Sequence, residues 1–120
     1  MGTFSVSVKI GHPADPSRSA TVELLVDTGA TISFVPAEVL ANLGIQPRWA
    51  DREFETASGA VIRRSVGAAS LAVNGNETVT PVVFAEPGDA GVLGAVALES
   101  LGLIVDPIAQ RLIPRRFLAL

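Results

Sequence analysis

The sequence predicts an all-β fold with one or two short helices, and three observations carry that reading. Apolar residues alternate with polar ones over Phe4, Val6, Val8 and Ile10, the period of a half-buried strand. Ser58-Gly59 and Asn74-Gly75-Asn76 separate long extended segments, as hairpin turns do. The segments with helical signals are short, one starting near Pro36 and stopping at Gly44, the other over 95–101.

The elements follow in chain order. After the first strand, 11–19 carries two prolines, Asp15 and two serines and reads as a turn or loop. A second strand over 20–26 runs straight into Asp27-Thr28-Gly29-Ala30. Beyond the first helix, extended segments at roughly 47–57 and 60–73 form a hairpin, and 79–85 is a further strand. A loop over 86–91 leads to the short apolar run Val92-Leu93-Gly94 and the second helix. Strand-like pieces around 103–105 and 112–113 and an apolar tail, Phe117 to Leu120, end the sequence. An internal echo joins the halves: Leu40-Ala41-Asn42-Leu43-Gly44-Ile45 and Leu98-Glu99-Ser100-Leu101-Gly102-Leu103 share one pattern, which suggests a pseudo-twofold arrangement.

Length and composition narrow the chemistry. The 120 residues are one domain's worth, so 1–120 is read as a single domain. No apolar run approaches the ~20 residues of a membrane span. The opening residues lack the basic start of a secretory signal, and Val6 breaks the myristoylation pattern, so a cytoplasmic location and no membrane partner are expected. A net charge of −3 with scattered basic residues gives nucleic acid no footprint. With no cysteine and one histidine, neither a zinc site nor thiol chemistry is expected, and no cofactor is implied. Carboxylates, hydroxyls and backbone remain.

Asp27 ends the apolar run Leu24-Leu25-Val26 and precedes a small hydroxyl residue and glycine. Taken alone, Asp-Thr-Gly is a strand-ending turn in which Asp bonds its own backbone. Hydrolysis of a peptide without metal or nucleophilic side chain asks for two carboxylates held together. One takes a proton from water while the other hydrogen-bonds the carbonyl oxygen, because like charges keep both from ionising. The pair titrates as a unit. Asp15, Asp51, Asp89 and Asp106 lack the following small residue and glycine, and Asp106 before Pro107 reads as a strand-ending turn. A second carboxylate must therefore come from another copy, and a twofold dimer sets identical loops face to face.

Leu24-Leu25-Val26-Asp27-Thr28-Gly29-Ala30 resembles the active-site loop of retropepsin-like aspartic peptidases, and Val92-Leu93-Gly94 with its helix resembles their second apolar-apolar-Gly element. The 47–73 hairpin lies where the family's flap stands, and 101–107 with 111–114 is similar to the tail of bacterial single-domain members, so the likeness spans about residues 20–114. It implies a small closed β barrel acting as a homodimer, an aspartic endopeptidase that hydrolyses peptide bonds by water activated between two Asp27 carboxylates. By the same resemblance, Thr28 locks the two loops across the dimer, and Gly29 and Ala30 lie against substrate. Ala57, Ser58 and Gly59 form the flap tip over a peptide or protein substrate bound as an extended strand.

Other readings stand beside this one. Asp27-Thr28-Gly29-Ala30-Thr31 fits the Asp-x-Gly-x-Thr phosphate loop of actin-like ATPases, but 120 strand-rich residues cannot hold their two α/β lobes. A catalytically silent domain that keeps the fold for dimerisation or peptide binding is the alternative. His12 is expected to be solvated in its loop, and Trp49 to pack in the core or an interface. Arg63 and Arg64 alternate across a strand, one facing solvent and the other free to meet substrate or an acidic neighbour. The apolar tail is either a frayed end or, as in viral relatives, part of an interface.

Overall fold

The chain folds so that each apolar period found in the sequence closes on the same core. The computed structural model describes residues 4–120; the sequence reading of 1–3 lies outside the described residues. Two strands come first, β1 (Ser5–His12) and β2 (Asp15–Val26). They pair antiparallel, placing Val8, Ile10, Leu24 and Val26 inside. The loop expected over 11–19 is almost entirely strand. Gly11 pairs with Ser19 and His12 with Asp15, so Pro16, Ser17 and Arg18 bulge out of the ladder. Pro16, which has no N–H to donate, is tolerated within a strand because it sits in that bulge. His12 closes the turn by accepting the Ala14 N–H on Nδ1 at 3.0 Å.

A strand missed in the sequence, β3 (Ser33–Pro36), leads into helix α1 (Ala37–Asn42). Pro36 is the last strand residue and the helix cap, one place earlier than expected. Next come β4 (Trp49–Glu55), β5 (Val61–Val73) and β6 (Asn76–Ala85). Between β5 and β6, Asn74 (φ 51°) and Gly75 (φ 83°) form a two-residue turn with both φ positive, matching the twist of the flanking strands. The chain continues as β7 (Val92–Leu93), α2 (Ala95–Leu101), β8 (Leu103–Asp106) and β9 (Arg111–Pro114). The last two form their own ladder, and Asp106 turns between them by accepting the N–H groups of Ile108 and Ala109 on Oδ1, both at 3.1 Å.

The larger sheet runs β1-β2-β7-β3-β6-β5-β4, and β5 also returns to β1 through Lys9–Ala72, Ile10–Leu71 and Gly11–Ser70. Six strands thus close a small barrel, while β4 and the first half of β5 project as a hairpin. The internal echo is structural. Leu40, Leu43 and Ile45 are buried, as are Leu98, Leu101 and Leu103, and each helix stops at a left-handed glycine, Gly44 (φ 79°) or Gly102 (φ 69°). Among the described residues no helix is long and apolar enough to cross a membrane.

Candidate active site

The turn after β2 is braced from outside itself. Leu25 and Val26 pair in parallel with Val92 and Leu93, and the Asp27 N–H donates to the Leu93 carbonyl at 3.0 Å. Within the turn, the Gly29 N–H donates to Asp27 Oδ1 at 2.9 Å and the Ala30 N–H to the Asp27 carbonyl at 3.2 Å. Asp27 is half-buried, whereas Thr28 and Gly29 are exposed at the rim. Such a turn fixes one carboxylate oxygen by a backbone donor. No described residue donates a hydrogen bond to Oδ2.

The second apolar-apolar-Gly element holds the exit of the turn. The Ala95 N–H donates to the Ala30 carbonyl (2.7 Å) and the Val96 N–H to the Thr31 carbonyl (3.1 Å). Gly94 permits this approach, since a Cβ there would lie 2.8 Å from the Ala30 oxygen and 2.9 Å from the Ile32 carbonyl carbon. Ser33, 1% exposed, accepts the Gly94 N–H on Oγ at 2.9 Å. The sequence reading did not single out Ser33. Its signal was a lone hydroxyl inside the apolar run Ile32-Ser33-Phe34-Val35.

Ala57, Ser58 and Gly59 occupy the exposed tip of the β4–β5 hairpin. The Gly59 N–H donates to the Thr56 carbonyl (2.9 Å), and the Thr56 N–H to the Ala60 carbonyl (2.8 Å). Gly59 lies at φ 87° with open space around it, so its backbone angle sets the need for glycine. Among the described residues no hydrogen bond joins this tip to the 27–30 turn. The hairpin meets the chain beyond that turn lower down, where the Phe34 and Phe54 rings stand edge to face at 5.7 Å. A cavity of about 450 Å³ opens there between Thr31-Ile32 and β4, bordered along the strand from Trp49 to Glu55.

The paired arginines divide as their alternation predicts. Arg63 faces outward onto Glu53 (2.7 Å), while Arg64 turns inward onto Asp89. The Arg64 guanidinium holds the Asp89 carboxyl below the usual carboxylate range, aided by the Glu86 N–H. Trp49 is not in the core. It is 43% exposed, with the Arg48 and Arg52 guanidinium carbons 5.8 and 5.6 Å from its ring centre, because the base of β4 projects beyond the barrel. Among the described residues no group of three or more His, Cys, Asp or Glu side chains converges as a metal site would require.

The family described as aspartyl protease matches residues 6–97, which takes in the Asp27 turn, the hairpin and the Val92–Gly94 element. Among solved structures, EIAV protease complexed with the inhibitor HBY-793 superposes with a TM-score of 0.63 at 17% identity, over 84% of this chain and 89% of that one. Simian foamy virus (mac) protease gives a TM-score of 0.54 at 21% identity, over 79% and 91% respectively. No curated protein sequence matches the chain. With the family match covering most of the sequence and the barrel shared with retroviral proteases, the chain belongs to the aspartyl protease family and has the retropepsin-like fold.

Proposed function

We propose that this chain is the subunit of a homodimeric aspartic endopeptidase in which two copies of Asp27 share one catalytic site. The observation that carries the reading is the rigid Asp27 turn, with one carboxylate oxygen held by the Gly29 N–H and the backbone hung from Leu93. One such turn per chain supplies one carboxylate, so a twofold partner supplies the other. Water between the two loses a proton to the ionised carboxylate as it attacks the peptide carbonyl carbon. The protonated carboxylate donates a hydrogen bond to the developing oxyanion.

In this reading Thr28, exposed at the rim, bonds across the dimer axis. Gly29 and Ala30 line the floor under an extended peptide or protein substrate, and Ala57, Ser58 and Gly59 cover it. Residues 1–120 act as one peptidase domain. The deciding experiment is Asp27→Asn, expected to abolish peptide cleavage while circular dichroism and sedimentation stay as in the wild type. Unchanged turnover would remove Asp27 from the chemistry. Peptide binding by a wild-type protein that cleaves nothing would favour a silent binding domain.

A further inference from the structure

The base of β4 carries an irregularity that decides which way its charges point. Trp49 pairs with Val66, Arg52 with Arg64 and Phe54 with Ile62, and the register shifts between Trp49 and Arg52, with Asp51 at φ 56°. Side chains of a regular strand alternate, so residues three apart face opposite sides. The bulge cancels that offset and brings Trp49, Arg52 and Phe54 onto one face with Val66, Arg64 and Ile62. This is the inner face, because Val66 is buried and Phe54 meets Phe34. By the same alternation the side chains of Glu53 and Glu55, one residue out of phase, point to the outer face, where Glu53 is paired with Arg63, although both residues also border the cavity under the hairpin.

The inner-face charges are not equivalent. Arg64 is consumed by Asp89 and Glu86. Arg52 has no ion pair among the described residues and lies over the Trp49 ring at 5.6 Å. The cavity of about 450 Å³ between the hairpin and the chain leaving the Asp27 turn is lined by Thr31, Ile32, Trp49, Phe54, Val66 and Pro81 and by three charged residues, Arg52, Glu53 and Glu55, of which the strand register sets Arg52 alone on the inner face. A peptide held as a strand beneath the hairpin sends alternate side chains toward it. We propose that this cavity is a subsite for an acidic side chain of the substrate. Arg52 is the charge that recognises the carboxylate, and Trp49, Ile32 and Pro81 enclose the aliphatic stem. The proposal rests on the peptidase reading above and names its substrate class, a peptide with Asp or Glu to one side of the scissile bond.

The test is kcat/KM for matched peptides carrying Glu, Gln or Lys at each position around one cleavage site, using wild type, Arg52→Gln, Arg52→Glu and, as outer-face control, Arg63→Gln. At one position the wild type is expected to favour Glu over Lys by about fivefold, the size of one solvent-accessible charge pair. Arg52→Gln removes the preference, Arg52→Glu reverses it, and Arg63→Gln keeps it. Equal rates for all three peptides at every position overturn the proposal, as does a preference that survives Arg52→Gln. If wild type cleaves nothing, fluorescence of Trp49, the one tryptophan in the chain, is titrated with the same peptides. Tighter binding of the Glu peptide that is lost in Arg52→Gln upholds the subsite while the hydrolytic reading falls. Binding indifferent to charge overturns both.

Discussion

Arg64 grips Asp89 through two parallel bonds, Nε to Oδ2 at 2.7 Å and Nη2 to Oδ1 at 2.9 Å, and so fastens the inner face of the β4–β5 hairpin to the loop that feeds β7. Both side chains are mostly sequestered, 14% and 16% exposed. The planar fork matches a carboxylate bidentately, which fixes direction as well as distance. The inner face of the hairpin is thereby tied to the loop that leads into the strand bracing Asp27.

Asp89→Asn should lower the Tm at neutral pH by about 5 °C, the scale of one such interaction in a domain this small. The sign with pH follows from the Asp89 carboxyl, whose folded value lies below its unfolded 3.8 because of Arg64. Its contribution is whole above that unfolded value and fades as pH falls through the lower folded one. The Tm gap between wild type and mutant should hold steady from pH 7 to 5 and narrow in more acidic buffer. A gap that widens on acidification would show that the pair does not stabilise the fold as an ion pair.

Gly94→Ala should cost roughly 1–3 kcal/mol, because the added methyl group meets backbone at Ala30 and Ile32 and the braced turn must shift. Urea unfolding measures the loss, and peptide cleavage should fall further than the folded fraction does. Wild-type stability together with wild-type cleavage would show that the turn yields freely.

Gly59→Val forces a β-branched residue into a left-handed angle, at about 1–2 kcal/mol, without any steric contact to relieve. At an exposed tip that strain is expected to reshape the tip more than it unfolds the chain. Turnover should drop several-fold with little change in Tm. Unaltered kinetics would mean that the tip does not close over substrate.

Specific activity should decline on dilution through the dimer dissociation range, since each chain carries one Asp-Thr-Gly turn. Excess Asp27→Asn subunits should poison wild type through mixed dimers. Flat specific activity, with sedimentation showing an active monomer, would rule out the shared site.

Much of the fold was legible because local chemistry dictates it. Asn74-Gly75 takes the positive φ values its turn requires, and the second helix spans 95–101 as the sequence predicted. The paired Leu-x-polar-Leu-Gly segments end two helices in one way because glycine is the residue that adopts the left-handed stop at no steric cost. Loops were less legible. Pro16 signalled a break, yet ladder pairing on both sides absorbed it as a bulge. β3 was invisible because four residues carry too little periodicity to read, and its place is granted by partners distant in sequence, β6 and β7.

The sequence by itself determined the all-β class, the turns at Ser58-Gly59 and Asn74-Gly75 and the one Asp-Thr-Gly turn, since alternation, turn chemistry and that run act over a few neighbouring residues. Tertiary structure alone decided what surrounds that turn. Ser33 became the acceptor for Gly94 and Arg64 the partner of Asp89 only when strands far apart in the chain were brought together. Arg52 came to share a face with Trp49 only through a bulge. A hydrogen bond or ion pair between residues remote in sequence leaves no periodic trace, and one inserted residue in a strand reverses the facing of all that follow it.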